Sequence, residues 1–101
     1  MSYTSKFKNA ELDTLYEAIL TLETVEECYR FFEDIGTVAE LNSLSQRLQV
    51  ALMLEDKETY TEIAERTGAG TATISRVKKC LYYGEDGYKI ALERLKAKRG
   101  K

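Results

Sequence analysis

The chain has 101 residues, enough for one domain of ordinary size, and at 44% hydrophobic and 32% charged it lies outside the range of disordered chains. It contains no histidine, tryptophan or proline, which excludes a His-ligated metal site and a Ser-His-Asp triad and suits a chain built of helices. The net charge of −2 hides an asymmetry: residues 1–65 carry 5 basic and 14 acidic side chains, residues 66–101 carry 10 basic and 3 acidic, so an anionic partner is expected at the C-terminal third.

Six helices are predicted, making an all-α single domain over residues 1–101. The first runs from about Ala10 to Leu22 with Asn9 as N-cap; Leu12, Leu15, Tyr16, Ile19 and Leu22 fall on one stripe. Thr24 opens the second, with Glu27 at capping-box spacing, an apolar face of Val25, Cys28, Tyr29, Phe32 and Ile35, and Gly36 as the stop. Thr37 and Glu40 repeat the spacing for a third helix. Its stripe is Leu41, Leu44, Leu48, Ala51 and Leu52, widened by Val50, Met53 and Leu54, so it is expected to be central. The polar run Glu55 to Glu58 reads as a loop. Thr59 and Glu62 open a short fourth helix ending at Thr67-Gly68. A fifth runs from about Thr71 to Tyr82 and stops at Gly84. A sixth, about Gly87 to Lys98, is expected to bury Tyr88, Ala91, Leu92 and Leu95, with a basic tail over 96–101.

The fourth and fifth helices are short, consecutive and joined by Thr67-Gly68-Ala69-Gly70, the layout of a helix-turn-helix over about 59–82. The turn needs a residue free to take positive φ, and Gly68 supplies it. Ala64 is small enough to let the two helices approach. Ile63, Ile74 and Val77 make the motif's core. On the other side of the fifth helix lie Thr71, Ala72, Ser75, Arg76 and Lys79. Small residues at the helix tip suit the major groove, Thr and Ser can reach base edges, and Arg can bridge guanine O6 and N7. Lys78 and Lys79 suit phosphates. The DNA-contacting set is therefore placed at Tyr60, Thr61, Gly70, Thr71, Ala72, Thr73, Ser75, Arg76, Lys78 and Lys79. The run from Arg66 to Tyr83 has four basic residues and no acidic one, which favours double-stranded DNA over the alternative partner, another protein docking on the same scaffold.

No carboxylate pair or nucleophile stands in a setting that suggests an enzyme, and no metal site is expected. Cys28 and Cys80 match no metal or redox spacing and read as buried free thiols in a reducing cytoplasm. No apolar stretch is long enough for a membrane span. The expected location is therefore cytoplasmic.

The stretch TYTEIAERTGAGTATISRVKK, with ELNSLSQRLQVALML ahead of it, resembles the Trp-repressor-related family, in particular its small bacterial YerC/YecD-type members. The resemblance covers about Leu22 to Leu95 and is strongest from Glu62 to Arg76. It implies an intertwined helical homodimer that binds a palindromic operator and represses transcription. It also implies an effector pocket with arginines at Arg47 and Arg76. In tryptophan-binding members a glycine follows the second arginine, beside the indole, and a serine comes a turn later; this chain has Val77 and Cys80. Free L-tryptophan is therefore not expected as corepressor, and no other cofactor is implied.

Overall fold

The computed structural model describes residues 3–100, and every regular element among them is an α-helix: α1 (Ala10–Leu20), α2 (Val25–Ile35), α3 (Val38–Glu55), α4 (Tyr60–Thr67), α5 (Thr71–Tyr83) and α6 (Gly87–Lys98). None is long and apolar enough to cross a membrane. The last residue of the predicted basic tail, Lys101, lies outside the described residues. The chain packs as two compact units that divide between Val38 and Ala39.

In the first unit, Asn9 caps α1 as predicted, its side chain accepting from Leu12 N at 2.8 Å. The helix ends at Leu20, two residues before the predicted stop. Thr21 closes it, donating its hydroxyl and its backbone N–H to Ala18 O at 2.6 and 3.1 Å. Thr24 caps α2 by accepting from Glu27 N at 3.1 Å. The return arm of the predicted box goes elsewhere, because Glu27 Oε1 accepts from Glu23 N at 2.8 Å. Neither helix has a buried residue, although both carry the predicted apolar stripes. Leu20 is 83% exposed and Val25 70%.

In the second unit the core is Val50, Ala51, Met53, Leu54, Ile63, Ala69, Ile74, Val77, Leu81 and Leu92. Here α3 departs from the sequence reading. Of the predicted stripe Ala51 is buried, Leu41, Leu48 and Leu52 are half-buried and Leu44 is exposed, whereas the residues read as merely widening it, Val50, Met53 and Leu54, are all buried. A helix apolar on most sides does not reveal which side its own chain will cover. On α6, Leu92 is buried and Tyr88 and Leu95 half-buried, an i, i+4, i+7 stripe that leaves Ala91 on its flank. Ala91 is therefore exposed, against expectation. Lys96 on α6 reaches Glu55 at the end of α3 at 3.0 Å, and this partner raises the lysine pKa above its usual value.

The cysteine reading also needs correction. Both thiols are free, but Cys80 is exposed on α5 and Cys28 only half-buried.

Candidate nucleic-acid interface

The helix-turn-helix begins at a complete capping box. Glu62 N donates to Thr59 Oγ1 at 3.2 Å, and Thr59 N donates to Glu62 Oε1 at 2.8 Å. The backbone N–H and hydroxyl of Thr59 hold the Glu62 carboxyl below the usual carboxylate range, with Arg66 adding a smaller push in the same direction. The box fixes where α4 starts, and so where Tyr60 and Thr61 stand.

The turn is built from the C-terminus of α4. Gly68 takes the left-handed conformation, φ 75° and ψ 4°, and its N–H closes the helix on Ala64 O at 2.9 Å. A Cβ there would meet nothing nearer than Gln46 Nε2 at 3.9 Å, so backbone conformation, not space, calls for glycine. Thr67 Oγ1 donates to Ile63 O at 2.7 Å and accepts from Ala69 N at 3.1 Å. Ala69, 4% exposed, plugs the turn into the core. Gln46 on α3 donates its amide to Thr67 O at 3.0 Å, tying the C-terminus of α4 to the long helix.

Beyond the turn, α5 is two-faced. Ile74, Val77 and Leu81 are at most 2% exposed and pack with Ile63. Thr71, Ala72, Ser75, Arg76, Lys78 and Lys79 are exposed, as are Tyr60, Thr61 and Gly70; Thr73 is half-buried. The sequence reading of the two faces is reproduced, with Thr73 on their border. One of the four basic residues of the acid-free run is neutralised from outside it, since Arg66 pairs with Glu58 at 2.8 Å. Arg76, Lys78 and Lys79 have no salt bridge among the described residues. Three uncompensated cations on a helix without a carboxylate make a local positive face on a chain of net negative charge.

Gly70 caps α5 from extended backbone, φ −78° and ψ 167°, with no side-chain hydrogen bond. A Cβ at Gly70 would meet nothing within 4 Å. Nothing within the chain demands glycine there, and serine is a better N-cap. Gly70→Ser is therefore expected to raise stability by about 0.5 kcal/mol in urea denaturation; a loss would mean that the site is constrained within the fold after all.

The residues assigned to an effector pocket are less gathered. Arg47 is half-buried on α3, Arg76 and Cys80 are exposed on α5, and Val77 is sealed in the core at 1% exposure. The second unit has an open cleft of about 420 Å³ elsewhere, lined by Asn42, Ser45, Gln46, Gln49 and Met53 of α3 with Arg66 and Thr67 of α4. None of the four predicted residues lines it.

Sequence reasoning missed Gln46, Ala69 and a contact between Tyr60 and Lys78, whose ammonium lies 5.6 Å from the ring centroid. The Gly-Ala-Gly turn was a signal for Ala69. A polar side chain that caps a helix 21 residues away leaves no periodicity to read.

Comparison with known proteins gives a consistent result. The model of the Trp repressor protein family matches residues 10–96. The uncharacterised protein YerC of Bacillus subtilis (strain 168) is 56% identical over 91 residues, covering 90% of this chain and 88% of YerC. The crystal structure of a candidate Trp repressor from Staphylococcus aureus superimposes with a TM-score of 0.85 at 56% identity, covering 89% of this chain and 90% of that one. A TrpR-like protein from Eubacterium eligens superimposes with a TM-score of 0.86 at 53% identity, covering 89% and 93%.

Proposed function

Because the chain belongs to the Trp repressor protein family, we propose that it is a sequence-specific transcriptional repressor that binds a palindromic operator as a homodimer. The family is one of DNA-binding regulators, not enzymes. The observation that carries the reading is the face of α5: Thr71, Ala72, Ser75 and Arg76 exposed behind a glycine-capped tip, with Lys78 and Lys79 uncompensated and no acid in the helix. Arg76 reads a base edge, and Lys78 and Lys79 contact phosphates.

The experiment is DNA affinity against salt. A dimer neutralising about 6–10 phosphates should lose about 10³–10⁵ in affinity between 50 and 200 mM salt. Flat salt dependence, or no binding to duplex DNA at low salt, counts against the reading.

The homodimer is supported by the apolar stripes of α1 and α2, of which no residue is fully buried and Tyr16, Val25, Tyr29 and Ile35 are exposed, and by Leu44 on α3, 54% exposed. A second copy of the chain covers such surface at the least cost in specificity, and two symmetric motifs read half-sites about 34–36 Å apart. Sedimentation equilibrium is expected to return a dimer throughout a dilution series at micromolar concentrations. A stable folded monomer in that range would contradict the arrangement.

We further propose that free L-tryptophan is not its corepressor. A ligand slot needs a missing side chain; a helix-turn-helix core prefers an aliphatic one. At Val77 the core has prevailed, and the β-branched side chain occupies packed volume. Calorimetric titration should give millimolar or weaker affinity for L-tryptophan and no change in DNA binding. Micromolar affinity coupled to tighter DNA binding would show room beside Val77 after all.

A further inference from the structure

Tyr60 is the first residue of α4, immediately after its Thr59 cap, and is 36% exposed. Lys78 is the middle one of the three exposed cations of α5, between Arg76 and Lys79. The two residues are 18 positions apart in sequence and on different helices, yet the Lys78 ammonium sits 5.6 Å from the Tyr60 ring centroid. That is within the range at which a cation is drawn to the negative face of an aromatic ring. Lys78 has no carboxylate partner among the described residues. The two acids nearest in sequence to Tyr60 are both engaged: Glu58 Oε1 accepts from Arg66 at 2.8 Å, and Glu62 Oε1 accepts from the Thr59 N–H and hydroxyl.

We propose that Tyr60 is a positioning residue for DNA contact: its ring face holds the Lys78 ammonium over the start of α4, ready for a backbone phosphate. The inference rests on the DNA-binding reading above and assigns Tyr60 a role through Lys78, where a direct DNA contact was the sequence-based expectation. A lysine chain is long and flexible, and ordering it on a phosphate costs rotamer entropy. A ring supplies part of that order beforehand without neutralising the charge, which a carboxylate would do. The ring also keeps one charge at a fixed place between the two helices of the motif. Phosphates carry no sequence information, so the effect is the same for every DNA sequence.

Three variants and one spectroscopic measurement test this. In the free protein, the Lys78 side-chain methylene protons should be shifted upfield by the ring current, in the wild type and in Tyr60→Phe but not in Tyr60→Leu. DNA affinity should fall about two- to fivefold per protomer in Tyr60→Leu and stay at the wild-type level in Tyr60→Phe. In a Lys78→Ala background, Tyr60→Leu should have no further effect. The thermal midpoint of each variant monitors folding, and the free-protein spectrum reads the pairing without any DNA.

The proposal is overturned if the ring-current shift is absent, if Tyr60→Phe binds as poorly as Tyr60→Leu, or if the leucine variant still loses affinity without Lys78. The Phe result would assign a direct contact to the phenol hydroxyl. Wild-type DNA binding in all Tyr60 variants defeats this proposal alone. A ring-current shift in a protein that shows no salt-dependent DNA binding defeats the DNA-binding reading, and the positioning role with it.

Discussion

Ile63→Ala is expected to destabilise the second unit by about 2–5 kcal/mol, a large part of the 5–15 kcal/mol that ordinarily holds a domain together. Ile63 is fully buried on α4 and packs with Val50 of α3 and with Ile74, Val77 and Leu81 of α5. The substitution removes three carbons from a site walled by two other helices, so collapse around the void is limited and the cavity adds to the lost transfer energy. The urea midpoint should fall while the slope of the transition stays the same. Ile63→Val, which deletes one carbon, should cost about 0.5–1.5 kcal/mol. Since α4 carries Tyr60 and positions the turn, DNA affinity should follow the folded fraction. A loss below 1 kcal/mol for the alanine variant would mean that α4 is not a structural part of the core.

Arg76→Ala is expected to cost about 1–3 kcal/mol in DNA affinity and to relax base preference at one position of each half-site. The side chain is exposed, is unpaired by any carboxylate among the described residues, and lies on the face opposite Ile74 and Val77. Its removal therefore leaves the core intact, and the thermal midpoint should barely move. Lys79→Ala provides the contrast: weaker binding to all sequences and a shallower salt slope, with base preference unchanged. If both variants bind like the wild type, α5 is not the helix in the groove.

How much of this was legible in the sequence differs by element. The motif was read almost residue for residue, because each signal there is local: Thr59 with Glu62, Gly68 at positive φ, and Ile74 and Val77 one turn apart. The end of α1 was misplaced because Leu22 continues the apolar period, while Thr21 bends its hydroxyl back to Ala18 O and stops the helix. The buried side of α3 is read correctly at Ala51 and too far round at Leu41 and Leu44, because a helix apolar nearly all round gives periodicity no contrast, and its own chain covers the Val50–Met53–Leu54 side. Among the described residues, two adopt left-handed backbone without being glycine, Lys57 at φ 64° and Asp86 at φ 68°. The first sits where α3 ends and the second where α6 begins; aspartate tolerates this conformation better than most residues, whereas lysine gives no signal of it.

The site was legible as a face and not as a set of contacts. Exposure of Arg76 and burial of Val77 follow from helical spacing. The neutralisation of Arg66 by Glu58, the Gln46 tie to Thr67 and the Lys78–Tyr60 contact all join separate segments, and only the folded chain brings them together.

On the proposed function, α5 reads a symmetric DNA sequence. Selection of bound duplexes from a random pool, at a salt concentration where non-specific binding is suppressed, tests it most directly. The expected result is an enriched consensus with two-fold symmetry, its half-sites about one helical turn apart, that is lost on Arg76→Ala. Enrichment of no sequence over the starting pool, by protein that is folded and active in sedimentation as a dimer, would contradict it.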